Sequence, residues 1–159
     1  IVLAAVTRNG LALQFVAREF RADRDIVLAA VTRNGLALQF AADELRADRD
    51  IVLAAVTQDG RALKYAANEL KEDRVIVHAA VTQDGGALQY AANELRADKE
   101  IILAALSTPN LKVLKNIIMD DLWGDQEITL RLIELFGDEL PLTFLFCFVQ
   151  KYSNLLLVR

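Results

Sequence analysis

The stretch "DRDIVLAAVTRNG", residues 23–35, decides the fold, because its core "IVLAAVTRNG" also opens the chain at Ile1 and returns as "IVLAAVTQDG" at Ile51 and "IVHAAVTQDG" at Ile76. The step is 25 residues, and Ile101 continues it with more drift. A fixed period in this range marks supersecondary units stacked side by side. Within the stretch, Asp23 is placed to cap a helix, six apolar residues follow, and Asn34-Gly35 is expected to stop it, with glycine taking the left-handed conformation.

The following residues, "LALQFAADELR" from Leu36 to Arg46, carry Leu38, Phe40, Ala41, Ala42 and Leu45 with polar residues between them. That spacing predicts one buried stripe on a second helix, and alanine and leucine favour helix over strand. Each repeat is therefore read as a hairpin of two helices of about ten residues, each roughly 15 Å long and too short to be stable alone. Stacking is obligatory. The predicted fold is all-α, a solenoid of about six short antiparallel helical hairpins held by nearest-neighbour interfaces.

The first helix, apolar all round in "IVLAAV", is expected to be covered on most sides. Alanine recurs at repeat positions 4, 5, 16 and 17, as at Ala29, Ala30, Ala41 and Ala42, and lets helix axes approach closely. Gln39, Asp43 and Arg46, at positions 14, 18 and 21, are expected to face solvent.

Residues shared by all four regular repeats have structural readings. The hydroxyls of Thr7, Thr32, Thr57 and Thr82 are expected to bond back to a carbonyl one turn earlier. Glu19, Glu44, Glu69 and Glu94 are expected to pair with Arg24, Arg49, Arg74 and Lys99, as a ladder of solvated ion pairs.

The regular repeats are residues 1–25, 26–50, 51–75 and 76–100, with divergent repeats at 101–127 and 128–159, and the whole of 1–159 is read as one domain. "DQEITLRLIELFG", residues 125–137, keeps the spacing of Asp23, Ile26 and Gly35 and predicts a sixth first helix. "PNLKVLKNIIMDDLWG", residues 109–124, has Leu111, Leu114, Ile117, Ile118 and Leu122 at helical spacing. Degenerate end repeats of this kind serve as caps. Pro141 suits the first turn of a last helix, and Leu142 to Val149 is an apolar run that either packs on the last hairpin or meets another protein or a lipid surface.

A net charge of -4 argues against nucleic acid, which needs a basic stripe. Residues 1–100 hold 13 basic and 15 acidic side chains, and Asp120 to Glu139 holds seven acids against Arg131, which favours a basic partner at that end. No apolar run reaches the roughly 20 residues of a membrane-spanning helix. Cys147, the one cysteine, is read as a buried inert thiol, and His78, the one histidine, has no cysteine or histidine partner for a metal site. Asp120 and Asp121 point about 100° apart on a helix and make no paired-carboxylate site. With no phosphate loop, nucleophile elbow or dinucleotide fingerprint, no catalytic, metal or cofactor site is expected.

"DRDIVLAAVTRNGLALQFAADELRAD", residues 23–48, resembles a repeat family catalogued as domain of unknown function 4116, whose units occur in tandem in protist, microalgal and some bacterial proteins. The resemblance covers residues 1–105 and implies a tandem helical repeat with no catalytic residue to carry over.

Two functional classes follow. One is a non-catalytic scaffold holding a protein partner on a groove lined by repeat positions 8, 9 and 11, among them Arg8, Arg33, Gln58, Gln83, Leu36 and Arg61, which vary while the packing positions hold still. The alternative is a peripheral subunit of a large membrane assembly, in an alga a photosynthetic one, docking through Leu142, Phe144, Phe146 and Phe148. A module of a larger enzyme is a third reading. The first helix lacks the cap its copies have, and no initiator Met or leader precedes it, so the chain is expected to be a mature or partial piece. Its compartment is unassigned: soluble and intracellular, or organellar within a larger complex.

Overall fold

The computed structural model describes residues 1–108 and 126–136. The chain divides into two compact units, 1–121 and 122–159. Every described element is a helix. In the first unit the 25-residue period becomes a stack of near-identical modules, an all-α solenoid.

Each repeat starts with an α-helix: Val2–Arg8, Arg24–Arg33, Arg49–Gln58, Arg74–Gln83 and Lys99–Leu106. Asp23 begins the second of these as expected, its carboxylate accepting from the N–H groups of Asp25 and Ile26 at 3.0 and 3.1 Å. Asp48, Asp73 and Asp98 cap the next three in the same way, satisfying donors that a helix start leaves without partners. At the next-to-last position of the helix, Thr32 Oγ1 donates to the Leu28 carbonyl at 2.7 Å, and Thr7, Thr57 and Thr82 repeat the bond.

Burial of the first helix is one-sided, where a covering on most sides was expected. Ile51, Val52, Ala55 and Val56 are wholly buried, Leu53 and Ala54 partly, and Thr57 and Gln58 lie exposed. The buried face meets the first helices before and after it and the segment that follows in its own repeat.

That following segment departs from the single helix expected over residues 36–46. It is a 3₁₀ helix, Gly35–Phe40, then Ala41 and Ala42 in extended conformation, then one turn of α-helix, Asp43–Arg46. Ala41 lies at φ -67° and ψ 153°, and Ala42 at φ -62° and ψ 156°. The break has a backbone reason. The Ala42 N–H donates to the Arg21 carbonyl of the preceding repeat at 2.8 Å; Ala67 to Arg46 and Ala92 to Lys71 follow at 2.9 and 3.0 Å. A continuous helix would spend that N–H inside its own ladder and leave the carbonyl at the end of the previous short helix without a partner. The buried residues of the segment are consequently Ala37, Leu38 and Ala41, while Phe40, Ala42 and Leu45 are partly exposed. Of the three polar positions, Asp43 is exposed, whereas Gln39 and Arg46 are half-buried.

The glycines also act differently from expectation. None of Gly10, Gly35 and Gly60 has a left-handed φ, and the first helix ends instead on an extended residue, Asn34, whose N–H bonds back to the Ala30 carbonyl. Glycine is needed because the repeats touch there. A Cβ on Gly35 would collide with the Ala55 carbonyl oxygen of the next repeat and stand 3.0 Å from the Asp59 nitrogen; Gly10 faces Ala30 and Gly60 faces Ala80 in the same manner. Close backbone approach selects glycine as strictly as an unusual φ does.

An inter-repeat ion ladder exists, with different acids from those expected. Arg24 pairs with Asp48 and Asp50, Arg49 with Asp73, and Arg74 with Asp98 and Glu100, so the capping aspartates take the role expected of Glu19, Glu44 and Glu69. In the second unit, the helix Gln126–Phe136 falls where the sequence predicts the sixth first helix, with Ile128 and Leu132 buried. The segment 109–124, Pro141, Cys147 and the docking residues Leu142, Phe144, Phe146 and Phe148 lie outside the described residues.

Candidate partner-binding edge

The first helices all end on one edge of the stack, and this edge carries the variable positions 8, 9 and 11. Arg8, Arg33, Gln58 and Gln83, at position 8, are all exposed. Two of these side chains reach along the stack. Arg33 Nε donates to the Arg8 carbonyl at 3.3 Å, and Gln83 Nε2 donates to the Gln58 carbonyl at 3.4 Å. Arginine and glutamine thus share a role here, since each is long enough to reach one repeat back.

Position 9 starts the 3₁₀ helix. The side-chain oxygens of Asn9, Asn34, Asp59 and Asp84 accept from the N–H two residues on, at 3.1, 3.0, 3.0 and 2.9 Å. Both residue types can close such a turn, so asparagine and aspartate exchange without altering the backbone. The exchange does change the charge. The first two repeats present Arg-Asn at positions 8 and 9, and the next two present Gln-Asp.

Of the predicted groove residues, Gln58, Arg61 and Gln83 come together around an open hollow of about 340 Å³, with Asp59, Gly60, Asp84 and Thr108 completing its lining. Arg61 folds onto Asp59 with Nε at 3.0 Å from Oδ1 and Nη2 at 2.7 Å from Oδ2. The Arg61 hydrogen bond holds the Asp59 carboxyl below the usual carboxylate range against the opposing effect of its partial burial. Arg8, Arg33 and Leu36 lie further along the stack, with Leu36 half-buried.

Thr108 was not foreseen. It sits at position 8 of the fifth repeat, buried, accepting from the Gly85 N–H at 2.9 Å and donating to the Ala105 carbonyl at 2.8 Å. The signal was the change from "TQDG" to "STPN", residues 107–110, in which a short hydroxyl replaces a long polar side chain. A hollow bordered by carboxamides and one closed ion pair is equipped to hydrogen-bond a peptide backbone or polar side chains. His78 is exposed on the first helix of the fourth repeat. Among the described residues no helix is long and apolar enough to cross a membrane.

A stack of capped helices and 3₁₀ segments, joined by backbone bonds at a constant interval, defines a tandem all-α repeat protein. The chain belongs to the family described as Domain of unknown function (DUF4116), whose model matches residues 1–46, 23–71 and 73–117, each match spanning just under two of the 25-residue repeats. No curated protein and no solved structure matches the chain.

Proposed function

We propose that the chain is a non-catalytic scaffold which holds a protein partner along the edge built from positions 8, 9 and 11. One observation carries this reading. Positions that pack between repeats keep the same small set of residues, whereas the edge, exposed at position 8 and half-buried at Asn34, Asp59 and Asp84, changes from Arg-Asn to Gln-Asp without disturbing the backbone bonds it makes. A surface free to vary on a fixed frame is how repeat arrays come to recognise different partners. The Asp59 carboxylate is engaged by Arg61, which at this residue supports binding over acid–base chemistry.

Affinity capture from native extract tests the reading. The wild-type chain should retain a stoichiometric protein partner, and the chain carrying Arg8→Ala, Arg33→Ala, Gln58→Ala and Gln83→Ala should lose it. Equal retention by both would refute the edge, and a strictly monomeric protein without a partner would refute the scaffold. A second reading, peripheral attachment to a membrane assembly, is supported by the apolar sequence from Leu142 to Val149. Flotation with membranes that disappears on deleting residues 142–158 would favour it over the first.

A further inference from the structure

Among the described residues the ion ladder has one incomplete rung, at Arg49. Arg24 engages two carboxylates one repeat on, Asp48 through Nε at 3.1 Å and Asp50 through Nη2 at 3.0 Å. Arg74 likewise engages Asp98 and Glu100, at 3.2 and 2.6 Å. Among the described residues Arg49 engages Asp73 alone, through Nε at 2.8 Å. The residue that would supply the second carboxylate, at the place of Asp50 and Glu100, is Val75.

Two further features mark the same spot. Val75 is 56% exposed, an apolar side chain in water where the flanking repeats carry an acid. His78 lies one turn along the same helix, exposed where Leu28, Leu53 and Leu103 are half-buried. Residues three apart are neighbours on a helix face. Two departures from the repeat therefore adjoin each other and a half-exposed guanidinium whose Nη side lacks the carboxylate that Arg24 has. Guanidinium presents a planar fork of donors that matches a carboxylate in shape as well as charge.

We propose that this gap docks an acidic segment of a protein partner, which sets a carboxylate against the Nη side of Arg49 and an apolar side chain against Val75. The repeat itself shows the carboxylate geometry, in the two rungs it completes, and the exposed valine supplies the apolar contact that those rungs lack. The imidazole of His78 offers an N–H to a further acceptor of the same segment. This surface lies at the opposite end of the helix Arg74–Gln83 from the edge at position 8, so it stands or falls apart from the reading above.

The test uses the full ¹⁵N-labelled chain titrated with the capped peptide acetyl-Leu-Asp-Leu-amide. The Nε–Hε resonance of Arg49 and the backbone amide of Val75 should shift saturably while the Nε–Hε resonances of Arg24 and Arg74 stay in place. Val75→Glu, which completes the rung as Glu100 does, should abolish the shift, and acetyl-Leu-Lys-Leu-amide should produce none. Equal shifts at all three arginines, no shift at Arg49 up to the solubility limit of the peptide, or a shift that survives Val75→Glu would each overturn the proposal.

Discussion

The backbone N–H of Ala42 donates to the carbonyl of Arg21, 21 residues earlier and one repeat away, at 2.8 Å. This bond accounts for the break in the second half of those repeats that have a predecessor, and it recurs at Ala67 and Ala92; the first repeat keeps the same break at Val16 and Ala17 without it. It also joins neighbours through main-chain groups, so the stack has a stitch that side-chain substitution leaves alone.

Proline provides a test whose sign separates two accounts. Ala67 lies at φ -60° and ψ 155°, conformations proline accepts. In a simple loop, Ala67→Pro would stabilise by about 0.4–1 kcal/mol through the unfolded chain. Because the ring removes the donor and leaves the Arg46 carbonyl without a partner, we expect a loss of about 1–3 kcal/mol by urea denaturation. A more stable variant would remove the stitch from the account.

Gly60 distinguishes close approach from backbone handedness. Under a left-handed requirement, Asn would be the best replacement. Since a Cβ at Gly60 meets the Ala80 carbonyl, Gly60→Ala and Gly60→Asn should both destabilise, by about 1–3 kcal/mol. Thermal melts in which the Asn variant keeps the parental midpoint would contradict the contact.

Overpacking should be costly on one side of the first helix only. Ala55 is wholly buried and Ala54 partly exposed. Ala55→Phe should cost about 1–3 kcal/mol, and Ala54→Phe markedly less. Equal losses would contradict the one-sided burial.

The local half of this architecture was legible, and the non-local half was not. Asp23 and Thr32 act on backbone groups within four residues, so the sequence alone reveals their bonds. Gly35, Ala42 and Arg24 act on Ala55, Arg21 and Asp48, all in a neighbouring repeat. Their constancy was visible, but constancy cannot say which partner lies across an interface. The glycine was therefore read as a helix stop, and the double alanine as part of a helix face. At the edge, variability singled out Gln58, Arg61 and Gln83, which line one hollow, whereas buried Thr108, lining the same hollow, broke the period and escaped that pattern.

Acid should weaken the stack through the capping aspartates Asp48 and Asp73. The hydrogen bond from Arg49 holds Asp73 below the usual carboxylate range, with the Ile76 and Val75 N–H groups acting in the same direction and partial burial opposing. A depressed folded value means stability present above the unfolded value of about 4 and lost as pH falls through the folded one. Asp73→Ala should cost about 1 kcal/mol at neutral pH, as the loss of a helix cap does. Asp73→Asn keeps a capping oxygen and should cost less. Both differences from wild type should shrink as pH falls below about 4, and a gap that is the same at pH 7 and at the lowest folded pH would contradict the charge contribution.

The central claim is that one repeat cannot hold its shape without the repeats on either side. Circular dichroism of a synthetic peptide of residues 51–75 tests it most directly. The account predicts a coil-like spectrum with no cooperative melt, whereas helical signal that melts cooperatively in the lone peptide would contradict it.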